Sequence, residues 1–335
     1  PPLYAYYIYF INILFNDLFN IVKLVIFFQI FLSLISIYIF FKIARNFEKP
    51  NISLIFTFIF SIFPIYIYAS IQISSISIQV FLLLCFYYFL LEFQKKNNYI
   101  NLIFFSFFSG LLILTRGEFF LFYLFTLIYF FQLIKKDYKA LVVSIVITFI
   151  VISPYLKRNY NYFNTVVLTK SFGFNLLKGN NPEFKVEGSD NFATSQLNKK
   201  KIKISNNYEI KRDNYYKKEA IKIIKEDPIK YFQFYLLKIF SFIFINFNST
   251  YPSYYNILHI LPKVILSLTS LAGIFLAIRK KDFFQYLSLY YLITIFLFSA
   301  FFILPRYSLV LLPLQLLLSM KFLKFIYQRI AGPTH

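Results

Sequence analysis

Val22–Ile43 reads VKLVIFFQIFLSLISIYIFFKI, with its only charges, Lys23 and Lys42, next to the two ends. A run this long and apolar meets the roughly 20 residues an α-helix needs to cross the hydrocarbon core of a bilayer. Runs of the same kind occupy residues 52–70, 76–93, 100–115, 117–134, 139–155, 257–278, 283–303 and 307–326, most with no charge at their middle. Their apolar residues are not confined to one stripe, as expected of helices buried on most faces. The expected fold is an all-α polytopic membrane protein with about nine transmembrane helices.

Composition points the same way. Of 335 residues, 59% are apolar and only 15% charged. Soluble domains run at about half and a quarter, respectively. A water-soluble globule and a disordered chain are both excluded. The aromatic content is high but includes no Trp, and Phe, Ile, Tyr, Asn and Lys share codons rich in A and T, so base composition accounts for most of it. Cys85 is the single cysteine, so neither an intrachain disulfide nor a Cys-based metal site can form. His259 and His335 are far apart in sequence; no metal and no cofactor are expected. The net charge of +21 is distributed between apolar runs, which fits basic loops at a bilayer rather than a nucleic-acid surface.

The basic residues set an orientation. Lys42, Arg45 and Lys49 follow the first run; Lys95 and Lys96 the third; Lys135, Lys136 and Lys139 the fifth; Arg279, Lys280 and Lys281 the seventh; Lys321, Lys324 and Arg329 close the chain. Alternate connections carry only Arg116 and Arg306. The positive-inside rule places the first group in the cytoplasm and residues 156–229, Arg116 and Arg306 outside. A bacterial inner membrane is the expected location. Domain organisation is expected to be 1–155, a transmembrane bundle; 156–256, an extracytoplasmic loop region; and 257–335, C-terminal transmembrane helices. Residues 157–230 hold sixteen Lys or Arg against eight Asp or Glu. Within them, 208–226 reads as a charged helix with Ile221 and Ile224 among its apolar positions. Asp227-Pro228 then starts another helix, with Asp as N-cap and Pro at the first helical position. If 229–247 crossed, every later basic cluster would be inverted. An interfacial or re-entrant helix is therefore expected, with Lys230 and Lys238 snorkelling to the headgroups. Asp17 reads as an interfacial cap and Pro64 as at most a lone kink.

Arg occurs only seven times beside 28 Lys. Three of the seven, Arg116, Arg158 and Arg306, fall at outer helix ends, where the sidedness rule disfavours cations. The planar bidentate guanidinium suits phosphate, so these three are the candidate phosphate-binding residues, set against the plain role of interfacial anchor. Glu118 is either a salt-bridge partner of Arg116 or a substrate contact. Tyr307 and the turn residues Asn180 and Asn181 complete the candidate set. Gly179-Asn180-Asn181-Pro182 also reads as a plain turn, and Asn248-Ser249-Thr250 matches the short glycosylation acceptor pattern.

In their order against the spans, several segments carry a resemblance: Pro1-Pro2-Leu3-Tyr4, Leu114-Thr115-Arg116-Gly117-Glu118, Ser153-Pro154-Tyr155-Leu156-Lys157-Arg158-Asn159-Tyr160, Asn175-Leu176-Leu177-Lys178-Gly179-Asn180-Asn181-Pro182, Glu226-Asp227-Pro228 and Arg306-Tyr307. Over nearly its whole length the chain resembles the GT-C membrane glycosyltransferases of the protein O-mannosyltransferase and aminoarabinose-transferase type. The resemblance implies an inverting transfer of a sugar from a polyprenyl-phosphate donor to a lipid, glycan or protein hydroxyl, on the extracytoplasmic side. It implies a catalytic carboxylate on a first external loop, which would lie upstream of Pro1; the chain reads as lacking that loop and inactive alone, with its catalytic residues unknown. The family tends to carry an acidic residue where this chain has Ser74-Ser75-Ile76-Ser77. Two other readings share parts of the pattern: an envelope glycan polymerase or ligase, and a lipid-linked substrate transporter or flippase. The latter would call for paired broken helices and midplane charges.

Overall fold

A computed structural model describes residues 2–15, 20–133, 137–198, 205 and 207–330. Asp17, Lys135, Lys136 and His335 lie outside the described residues. Fifteen α-helices are described, and no strand: α1 Leu3–Phe15, α2 Ile21–Ala44, α3 Pro50–Ser61, α4 Pro64–Ser70, α5 Ile76–Lys96, α6 Tyr99–Thr115, α7 Phe119–Leu133, α8 Tyr138–Phe163, α9 Phe172–Gly179, α10 Asp190–Asn198, α11 Tyr208–Glu226, α12 Pro228–Ile243, α13 Ile257–Ala277, α14 Phe283–Ser299 and α15 Leu312–Ile330. Five helical stretches, α2, α5, α8, α13 and the combined 305–330 segment, are long and apolar enough to span a bilayer. The last of them opens with a 3-10 helix, Pro305–Leu311. Four apolar helices, α1, α6, α7 and α14, are shorter. All nine expected runs therefore fall on helix, with one correction. Residues 52–70 do not form one continuous helix, because α3 ends at Ser61 and α4 starts at Pro64, with a bend of 57° between them; the pair is a broken span or a re-entrant loop. The ring of Pro64 at the first helical position of α4 starts a new helix rather than kinking an old one.

By their internal contacts the residues form two units. One comprises 1–154, 268–290 and 309–335; the other comprises 155–267 and 291–308. In the first unit α5 is central, packed against α2 and α6 and buried along most of its length. Tyr87, fully buried, meets Tyr290 edge-on at 5.5 Å and Tyr286 at 6.2 Å. Between α6 and α8, Ser106 donates to Ser144 at 3.0 Å and Thr148 donates to the Ser106 carbonyl at 3.0 Å. In lipid there is little hydrophobic gain from bringing helices together, so small residues and interhelical hydrogen bonds of this kind hold them. The other side of α8 leaves Val142, Ile145, Val146, Phe149 and Ile150 exposed, an apolar stripe suited to acyl chains rather than water.

The same unit gathers the basic connections. Lys324 pairs with Glu48 at 2.9 Å and Lys321 with Asp282 at 2.7 Å. Lys95 donates to Asn46, and Tyr99 to Asp137. The helix ends after α2, α5, α7, α13 and α15 thus lie on one side of the bundle, as the charge pattern requires.

The second unit is built on a small apolar core of Leu177, Ala193, Tyr216 and Ala220, which joins α9, α10 and α11. The expected charged helix forms as α11; it turns Tyr216 and Ala220 inward and leaves Ile221 exposed. Helix α12 begins as expected, Asp227 Oδ1 accepting from the Lys230 N–H at 3.1 Å. Its 16 residues amount to about 24 Å of rise, short of the roughly 30 Å apolar core. Ile229, Phe232, Leu236, Leu237 and Phe240 form an exposed apolar side. Lys238 does not snorkel: it is 0% exposed and turns inward. The expectation for it is corrected because three oxygens there replace water as acceptors, as described next.

Candidate functional site

The second unit holds most of the candidate residues, arranged around the segment 300–308. Three close contacts position that segment. The Ile303 N–H donates to the Val186 carbonyl at 2.8 Å. Lys238 Nζ donates to the carbonyls of Gly179 and Phe301 and to Asn180 Oδ1, at 3.2, 2.9 and 3.0 Å. The backbone of Phe301 and Phe302 lies so close to Gly179 that a Cβ there would sit 2.4 Å from the Phe301 carbonyl carbon. Only glycine allows this approach.

Arg306 stands on the 3-10 turn that follows. Its side chain is exposed, and among the described residues it makes no ion pair or hydrogen bond. It acts electrostatically on Tyr251, whose phenol is raised above its ordinary value chiefly by burial, with Arg306 pulling it down and Glu187 pushing it up. Tyr307, next in sequence, packs its ring against Phe298 and Phe302.

Glu187 is the residue the sequence reading missed. One carboxylate oxygen accepts from Asn246 Nδ2 at 3.2 Å and from the Ser249 hydroxyl. The other accepts from the Thr250 N–H at 3.0 Å and its hydroxyl at 2.6 Å. The glycosylation-like Asn248-Ser249-Thr250 therefore forms a clasp on Glu187. No sequence signal announced this, since the partners are about 60 residues apart. Lys263 was missed as well. It lies inside α13, buried and without a hydrogen bond among the described residues, and lines a small cavity with Glu187, Ser241, Tyr254 and Ser308. A lysine just after Pro262 in an apolar run was the available signal.

The remaining candidates are placed as follows. Asn180 and Asn181 are buried, and their amides are committed inside the unit. Asn180 donates to the carbonyls of Leu176 and Ala300; Asn181 donates to those of Lys178 and Lys185 and accepts from the Lys185 N–H. Arg158 lies over the Tyr162 ring at 5.0 Å and donates to Asn159. Arg116 and Glu118 belong to the first unit and pair with each other at 3.4 Å. Arg306, Tyr307, Asn180 and Lys238 share one neighbourhood; Arg158 occupies another, beside Tyr162 and within the field of Glu209. Among the described residues no cluster of three or more His, Cys, Asp or Glu side chains could hold a metal ion.

Apolar helices, lipid-facing stripes and one-sided basic connections define an integral, all-α polytopic membrane protein. Residues 1–157 match the dolichyl-phosphate-mannose-protein mannosyltransferase family. Over that stretch the chain is similar to membrane glycosyltransferases of the GT-C type. No curated protein and no solved structure matches it.

Proposed function

We propose that the chain moves a sugar from a polyprenyl-phosphate donor to an acceptor hydroxyl, with inversion, at the extracytoplasmic side of the membrane. The match of residues 1–157 to a family named for dolichyl-phosphate-mannose carries this reading. The second unit supplies the fitting electrostatics. As the sugar departs, negative charge develops on the lipid phosphate, and a fixed cation near it lowers the barrier. Arg306 is the candidate that fits best, since its fork is exposed and uncommitted, whereas Arg116 is held by Glu118 and Arg158 rests on Tyr162. Buried Lys263 adds positive charge to the same unit. The acceptor hydroxyl requires a carboxylate base; Glu187, with both oxygens already accepting, is ill suited to it and serves to order residues 246–251.

The test is binding of polyprenyl phosphate to the full chain in lipid nanodiscs. Arg306→Gln should weaken binding by about ten-fold or more, the value of a charge-assisted hydrogen bond to phosphate. Arg306→Lys should recover part of the loss, and thermal stability should not change. Wild-type affinity in Arg306→Gln would remove Arg306 from the donor site.

A further inference from the structure

A cleft of about 390 Å³ opens in the second unit between α10, α11, the start of α12 and the turn at Pro182–Phe184. Its size falls within the range of about 300–1,000 Å³ in which small-molecule sites lie. Glu219, Lys222, Ile223 and Glu226 line it from α11; at spacings of three and four they make one stripe of that helix. Phe184, Phe192 and Tyr231 bring aromatic surface to the same cleft, and Asp227 and Lys230 close its rim. Lys230 is already poised over the Phe184 ring at 4.6 Å.

The lining chooses among ligand classes. Three carboxylates outnumber two ammonium groups, which disfavours phosphates and nucleic acid. The two lysines in turn disfavour a cationic peptide. What remains is an uncharged molecule with many groups that both donate and accept, and with a C–H-rich face to lie on aromatic rings. Carboxylates accept from hydroxyls and ammonium groups donate to them, while the rings present a negative face to C–H groups. Glu219, Lys222 and Glu226 are in no ion pair among the described residues, so they are available for such contacts.

Tyr231 provides an independent observation. The residue is only 6% exposed, yet its hydroxyl makes no hydrogen bond to protein among the described residues, and it borders the cleft. The ring is buried while the hydroxyl stays accessible at the cleft, where a ligand can reach it. Glu226 and Asp227 both act on it electrostatically, so a ligand hydroxyl seated between them would be held from two sides.

We propose that this cleft binds a neutral saccharide chain through Tyr231, Glu226 and the rings of Phe184 and Phe192. The site is separate from the donor phosphate site around Arg306 and needs no turnover to be detected. The full chain in nanodiscs is applied to an array of neutral and anionic oligosaccharides and, in parallel, to an array of unstructured peptides. A retained neutral oligosaccharide is then titrated against wild type, Tyr231→Phe and Glu226→Gln. Neutral oligosaccharides should be retained, and each substitution should raise the half-saturating concentration by about five-fold or more, the loss of one hydrogen bond. Both variants should keep wild-type affinity for polyprenyl phosphate, which separates this result from a failure of the donor reading. Retention of only anionic glycans or only peptides, no retention at all, or neutral binding unmoved by either substitution would overturn the proposal.

Discussion

Gly179→Ala tests how the second unit positions Arg306. The added Cβ would lie 2.4 Å from the Phe301 carbonyl carbon, 2.6 Å from the Phe302 nitrogen and 2.7 Å from the Phe301 oxygen. Nonbonded carbons settle at about 3.5–4.0 Å, so the 301–302 backbone must retreat by about 1 Å. Backbone cannot swing aside as the tip of a side chain can, and Lys238 and the Ile303–Val186 hydrogen bond tie this segment down on both sides. Overpacking of this kind costs about 1–3 kcal/mol. The shift propagates to Arg306, five residues on, where a displacement of about 1 Å is enough to cost up to 10²-fold in a positioned interaction. The expected outcome is a lower apparent melting temperature in detergent together with about ten-fold weaker polyprenyl-phosphate binding, equivalent to about 1.4 kcal/mol. An alanine variant that melts and binds like wild type would refute the close approach and the coupling drawn from it.

Glu187→Gln should loosen the 246–251 clasp. Whichever way the amide turns, two of the four donors now face an NH2 group, which costs about 2–4 kcal/mol; faster limited proteolysis within residues 246–256 is the readout, and Glu187→Asp should show a smaller effect. The Lys170–Glu209 pair makes a pH prediction. Lys170, by hydrogen bond and then by charge, lowers the Glu209 carboxyl below its ordinary value, so its stabilisation is present above the unfolded value of about 4.3 and is lost as pH falls through the folded one. Both side chains are partly exposed, so the loss on acidification should stay within about 1 kcal/mol, and Lys170→Ala should abolish it in thermal scans.

The membrane spans were legible because each is a local property of about 20 consecutive residues, and the one-sided basic connections were legible from charge alone. The break at Ile62-Phe63 was not, since Pro64 looks the same in a sequence whether it kinks a helix or starts one. Asp227-Pro228 announced α12 correctly because capping chemistry is local. The fate of Lys238 was hidden, because whether a lysine turns outward to headgroups or inward depends on acceptors about 60 residues away. The same holds for Glu187. Its four donors come from a segment that read as a glycosylation pattern, and only folding brings the two together. Arg306 was singled out as a candidate from sidedness, but that Arg116 is already paired is a matter of side-chain geometry.

The cage around Lys238 also has a consequence in time. Its acceptors at residues 179 and 180 leave the ribosome before the lysine does, but the Phe301 carbonyl follows it by 63 residues. At about 5–20 residues per second, that interval is about 3–13 s. Throughout it, the ammonium lacks its third oxygen, and the second unit lacks the 291–308 segment that completes it. A nascent chain must therefore keep α12 at the water edge until α13, α14 and the segment up to residue 308 are made. Truncations ending before residue 300 should leave Lys238 reactive to amine-modifying reagents that the finished protein excludes.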